Sequence, residues 1–324
     1  MTEVPADRRR GRKLLRSGLT VVVLLVVGWF FAQVLLANWS AVAAIDVSFD
    51  GWSVLAMLLF AGAVPLSGLI WGRMTALLSG TSVPVLEAVR VQCASWLLKY
   101  VPGQLGSAVN KVVWGGRRGI PRSLMVITFV YENAFLLIGS VVPALAVLAV
   151  TTAGQGVAAG SRDVWLAVVA ALVLMALVGD PRVFRAVAGV LGSRVLKREL
   201  PQEHFLGAAA AARYQLAFLG PRLLNAAGFV CVALSTVPVP ARLFLPLGAI
   251  YVLAGAVGIL AVFVPSGLGV RESVIVVFAA IVMPVEQAVL LSLLARLYST
   301  AADVLVAVGY AALSAAHRRG RVAT

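Results

Sequence analysis

The chain has 324 residues, of which 61% are hydrophobic and 12% charged, with a formal net charge of +14 and a mean hydropathy of +0.99. A soluble domain carries about 25% charged residues, so this composition excludes a water-solvated globular protein and indicates one integral membrane domain. The basic residues are scattered between apolar runs and form no stripe with interleaved aromatics, which argues against nucleic acid and for the anionic cytoplasmic leaflet as their partner.

Residues 1–17 form a basic segment carrying Arg8, Arg9, Arg10, Arg12, Lys13 and Arg16. The apolar run that follows is longer than the core of a signal peptide, and further spans come after it, so it reads as a retained first helix. A helix that crosses the hydrocarbon core needs about 20 mostly apolar residues. Full spans are predicted near 18–37, 52–78, 123–150, 163–179, 215–236, 243–264 and 287–314, so 18–314 form one membrane domain and 315–324 a basic tail. Two apolar stretches are shorter. Residues 85–101, basic at both flanks, suit a re-entrant half-helix that dips in and returns. Residues 273–283 rise only about 16 Å as a helix, and are expected to add an eighth crossing only together with their flanks. The predicted fold is therefore an all-α polytopic membrane protein with about eight transmembrane helices and one or two re-entrant or broken half-helices. Cys93 and Cys231 sit in apolar surroundings without CxxC spacing and read as small hydrophobes.

Charge sets the expected orientation. The connection 73–122 carries Arg73, Arg90, Lys99, Lys111, Arg117, Arg118 and Arg122, and 180–213 adds six more basic residues, whereas 38–51 holds Asp46 and Asp50 with no Lys or Arg. The positive-inside rule places the N-terminus and both long basic connections in the cytoplasm of a plasma-membrane protein, and the charge of the tail HRRGR asks for the same side.

The stretch VPSGLG at 264–269 interrupts an apolar run, and VPGQLG at 101–106, 163 positions earlier, shares V-P-x-x-L-G with it. The paired breaks suggest two related halves. Proline lacks an N–H and glycine tolerates positive φ, so each copy is a strong helix break. In lipid a break survives only where protein or a watery cavity satisfies the freed backbone. Paired breaks in two halves are a pointer to a transporter binding site; the plainer reading is two interfacial turns.

Ionisable residues inside spans are expensive and face the bundle interior or a cavity. Ser292, Arg296, Ser299 and Asp303 recur on one helical face. Glu132 lies 30 residues beyond Pro102 and Arg296 lies 31 beyond Pro265, so equivalent halves would let the two pair across the bundle. Arg222 and Asn225 lie in another span. The alternative for all of these is a set of ion pairs that only hold helices together.

The motifs KYVPGQLG (99–106) followed by Glu132, VPSGLGVRES (264–273) and ARLYSTAADVL (295–305) resemble the lysylphosphatidylglycerol synthase transmembrane-region family, over roughly 18–314. The resemblance implies a helical bundle with re-entrant elements that moves a lipid between leaflets. It implies substrate-binding roles for Lys99, Pro102, Gly103, Gly106, Glu132, Pro265, Gly267, Gly269, Arg271, Glu272 and Arg296. The resemblance does not extend to an aminoacyl-transferase domain, so lipid synthesis is not expected from it. From the residues themselves, Arg271, Lys99 and Arg296 would engage a phosphate head group, with Glu132, Glu272 and Asp303 balancing charge. No metal-ligand spacing, GxSxG elbow or P-loop is present, and no cofactor or metal is expected. The expected function is a flippase-like translocase for a phospholipid or lipid-linked substrate, with a separate lipid-modifying enzyme as a further partner. A membrane-embedded lipid transferase and a scaffold for a partner enzyme are the alternatives.

Overall fold

The computed structural model describes residues 36, 49–100, 105–154, 182, 204–261 and 267–322. Among them every regular element is helical, and five helices are long and apolar enough to cross a membrane: Gly51–Ser79, Arg122–Thr151, Ala208–Leu234, Ala241–Leu260 and Val285–Ala315. The chain is thus an all-α, membrane-embedded protein. The expected span 163–179 and all of 18–37 except residue 36 lie outside the described residues, as do Pro102, Gly103 and Pro265.

Helix α1 (Gly51–Ser79) begins in a capping box, where Asp50 accepts the Ser53 amide at 3.0 Å and the Ser53 hydroxyl accepts the Asp50 amide. It stops at Gly80, whose φ of 64° closes the end in the left-handed region. The sequence GLIWG at 68–72 places Gly68 and Gly72 on one face, a small-xxx-small pattern that lets backbones approach. A Cβ at Gly68 would fall 2.7 Å from Cβ of Gln92, and one at Gly72 2.4 Å from Cβ of Ala88. Those glycines seat α2 (Val85–Leu97) antiparallel to α1.

A 3-10 turn (Leu98–Tyr100) follows α2, and α3 (Leu105–Arg117) returns beside it. Gly106 packs on Leu98, the Asn110 side chain donates to Ser95 Oγ at 2.9 Å and to the Val91 carbonyl at 3.3 Å, and Trp114 Nε1 donates to Glu87 at 2.8 Å. This ladder makes α2 and α3 a hairpin of two half-length helices, each rising about 20 Å, the shape a re-entrant element over 85–101 requires.

After α4 (Arg122–Gly154), α5 (Ala208–Ala217) continues into α6 (Leu219–Leu234), which runs antiparallel to α1: Gly220 meets Leu66 and Gly228 meets Phe60. Helix α7 (Phe244–Leu260) runs back along α6, with Tyr251 stacked between Phe60 at 5.1 Å and Phe229 at 4.8 Å. Then α8 (Val270–Ala279) folds back along α7, Gly267 lying so close to Gly258 that a Cβ there would be 3.0 Å from the Gly258 Cα. Gly267 has φ 62° and Gly269 φ 78°, conformations that favour glycine. Residues 273–283 therefore do not complete an eighth crossing as expected. At ten residues, α8 is too short to cross, and with α7 it forms a second hairpin that returns toward its starting end.

Because α2 is antiparallel to α1 and α7 is parallel to it, the two hairpins open at opposite ends of the bundle. The last helix, α9 (Val285–Val322), runs parallel to α1: Tyr298 hydrogen-bonds Ser53 at 2.9 Å, and Val306 clusters with Val64. Its C-terminal end thus shares the end of the bundle where the first hairpin has its base.

Apolar packing divides into two main clusters. One joins Ala56 and Phe60 of α1 to α6, α7, α8 and α9; the other joins Ile70, Trp71 and Met74 to α2, α3, α4 and α5. Between them, around Ser67, lies a polar layer.

Candidate functional site

That layer surrounds a cavity of about 210 Å³. The first hairpin contributes Gln92, Ser95, Trp96, Lys99 and Ser107; α4 gives Glu132 and Asn133; α6 gives Arg222 and Asn225. Tyr251 of α7, Arg271 of α8, and Ser299 and Asp303 of α9 complete the wall. Both hairpins thus reach one cavity from opposite ends.

Most charges in and beside the cavity are already matched. Lys99 pairs with Asp303 at 2.7 Å and stacks over the Trp96 ring at 4.1 Å, while Trp96 Nε1 donates to the same carboxylate at 2.6 Å. This clasp ties the tip of the first hairpin to α9. Glu132 accepts from Gln92 Nε2 at 2.8 Å and pairs with Lys111, which lies 4.5 Å from the centre of the Trp71 ring. Lys111 and Glu132 are 0% and 3% exposed, so the pair is fully removed from water. Glu272 caps α8 by accepting the Gly269 amide at 2.6 Å and lies 3.7 Å from Arg296.

The expected pairing of Glu132 with Arg296 does not occur. Glu132 faces the first hairpin and Arg296 faces α8, so each meets the charge presented by its own neighbouring hairpin. The pairings separate the expected site residues into groups. Lys99, Glu132, Arg271 and Asp303 line the cavity, whereas Glu272 and Arg296 form an ion pair beside it. Gly106, Gly267 and Gly269 shape the hairpin turns. Of the expected face on α9, Ser299 and Asp303 reach the cavity, while the buried Ser292 donates to the Val289 carbonyl.

Two guanidinium groups remain. Neither Arg222 nor Arg271 has a carboxylate within 4.0 Å among the described residues. Arg222 Nε is buried without a hydrogen-bond partner there, and the charges of Arg222 and Arg271 oppose each other. Arg271 lies over the Tyr251 ring at 4.2 Å, which holds its position but supplies no negative charge. A buried donor without an acceptor is unfavourable, and two half-buried like charges lining one cavity add to the cost. An anion with several acceptor oxygens answers both. Sequence reasoning leaves Arg222 between function and structure and misses Lys111; a lone arginine flanked by Pro221 and Asn225 in an apolar span is the available signal for the first.

No family model matches the chain, and no curated protein matches it. The site therefore rests on its own geometry.

At the outer end of the first hairpin, Glu87 pairs with Arg118 and also accepts from Trp114 Nε1. Burial pushes the Glu87 carboxyl upward, but hydrogen bonds from Arg118 and Trp114, with the Arg118 charge, outweigh it and hold it below its ordinary value. This latch joins the bases of α2 and α3, as the Asn110 bonds join their middles.

Proposed function

We propose that the chain is a membrane translocase for a phospholipid or lipid-linked substrate with an anionic head group, held between Arg222 and Arg271. The observation that carries this reading is the pair of half-buried arginines, Arg222 and Arg271, with no carboxylate within 4.0 Å among the described residues, in a cavity that both hairpins reach. Guanidinium binds phosphate bidentately, so a phosphate would satisfy the orphaned Arg222 Nε and relieve the repulsion between the two arginines. Opposed hairpins around a central site suit alternating access, in which one hairpin loosens while the other stays packed. The Lys99–Asp303 clasp is the contact that would loosen on the first hairpin's side. Similarity of the V-P-x-x-L-G and ARLYS motifs to the lysylphosphatidylglycerol synthase transmembrane region agrees with this reading. Orientation in the plasma membrane follows from charge: Arg117, Arg118 and Arg122 cluster where the first hairpin has its base, which would be the cytoplasmic end, and Asp50 at the other.

Exchange of fluorescent anionic and aminoacylated lipids between the leaflets of proteoliposomes tests the proposal. Exchange by wild type that is lost in folded Arg271→Gln supports it. Equal exchange by the variant rejects the assigned site.

A further inference from the structure

A second cleft lies at the base of the first hairpin, where α2 and α3 face the last third of α9. Its volume is about 580 Å³, and Arg90, Asn110, Trp114, Arg117, Tyr310 and Ser314 line it with apolar residues between them. None of these residues lines the central cavity.

The cleft carries unbalanced positive charge. Glu87, beside Arg90, is bound by Arg118 and Trp114, and neither Arg90 nor Arg117 forms a salt bridge among the described residues. Arg90 is half-buried and Arg117 exposed, one on each arm of a hairpin whose spacing is fixed by Asn110 and by the Glu87 latch. Opposite them, Ser314 Oγ is buried without a hydrogen-bond partner among the described residues. Val91, Val113 and Ala311 supply an apolar wall, and Val113 is 49% exposed. Two guanidiniums and an apolar wall lining one cleft match an amphiphile with a phosphate head.

We propose that this cleft binds the phosphate of an anionic phospholipid from the adjoining leaflet, with Arg90 and Arg117 on the phosphate and an acyl chain along Val91, Val113 and Ala311. The site is separate from the central cavity, and the inference does not depend on translocation. The bound lipid bridges the same two elements, first hairpin and α9, that the Lys99–Asp303 clasp joins at the tip, so it stabilises their packing.

The test uses the full chain in phosphatidylcholine nanodiscs, with phosphatidylglycerol or inorganic phosphate added. Retained lipid is read by native mass spectrometry and stability by thermal unfolding. Wild type is expected to retain phosphatidylglycerol and unfold at higher temperature with it. Arg90→Gln with Arg117→Gln should weaken retention at least about tenfold, the loss of one charge-assisted hydrogen bond or more. Repeating the comparison in an Arg222→Gln background removes the central site's share, so that the remaining retention reports on this cleft alone and failure here is separated from failure of the central site. If the double variant misfolds, Arg117→Gln alone serves, because Arg117 is exposed. Retention by a folded variant equal to wild type overturns the proposal. Stabilisation by inorganic phosphate with no retained phosphatidylglycerol also overturns it, assigning the cleft to a soluble phosphoester.

Discussion

Replacing Glu132 by Gln removes one charge from a pair that water does not reach. The amide oxygen of the new side chain can still accept from Gln92, so the change isolates the interaction with Lys111. With Lys111 at 0% exposure, its ammonium would keep the Trp71 ring but lose its carboxylate. Breaking a buried pair from one side costs about 3–5 kcal/mol, whereas removing both charges together is often neutral or stabilising. Glu132→Gln should therefore lower unfolding stability in detergent by about 3–5 kcal/mol, and adding Lys111→Met should restore most of it. The assay is equilibrium unfolding of the purified single and double variants. A loss below about 1 kcal/mol for Glu132→Gln, or equal losses in the single and double variants, would refute the claim that this pair is buried, charged and coupled.

Three further outcomes follow from named contacts. Gly267→Ala places a Cβ at φ 62° and 3.0 Å from the Gly258 Cα, so it should destabilise the second hairpin by at least about 1 kcal/mol, whereas Gly116→Ala, in open space, should be neutral in the same unfolding assay. Asp303→Asn removes the carboxylate to which Lys99 and Trp96 donate, and amide exchange over 92–100 should rise relative to wild type. Unchanged exchange would mean the clasp does not hold the hairpin tip. Because the folded Glu87 carboxyl is held below its ordinary value of 4.5, its latch contributes fully above that pH and is lost as pH falls through the folded value. The stability difference between wild type and Arg118→Gln should therefore be present at neutral pH and shrink in acid; a difference that grows in acid would contradict the assignment.

Much of the architecture is legible because lipid imposes a simple rule: long apolar runs must be helices. The runs at 52–78, 123–150 and 287–314 correspond closely to α1, α4 and α9. Shortness together with basic flanks marks 85–101 as re-entrant. Proline and glycine mark 264–272 as a break, but not the direction the chain takes after it, since that depends on Gly267 meeting Gly258 across the turn. Charge pairing is the least legible part. Lys111 lies in a basic stretch that reads as a cytoplasmic connection, and only the antiparallel return of α3 brings it to Glu132. Sequence shows which charges lie within the bundle, but the partner of each depends on tertiary topology. Arg222 is detectable as an arginine in a span; that no carboxylate lies within 4.0 Å of it among the described residues emerges only from the tertiary structure.

Arg222 and Arg271 are proposed to form together an anion site on the path of a lipid head group. The most direct test compares leaflet exchange of anionic and zwitterionic phospholipids in proteoliposomes for wild type, Arg222→Gln, Arg271→Gln and Arg271→Lys, each confirmed folded. The account predicts exchange that favours the anionic lipid in wild type, is lost with either Gln, and is partly kept with Lys, which retains charge without the bidentate geometry. Exchange of both lipids at equal rates, unchanged in all three variants, would contradict it.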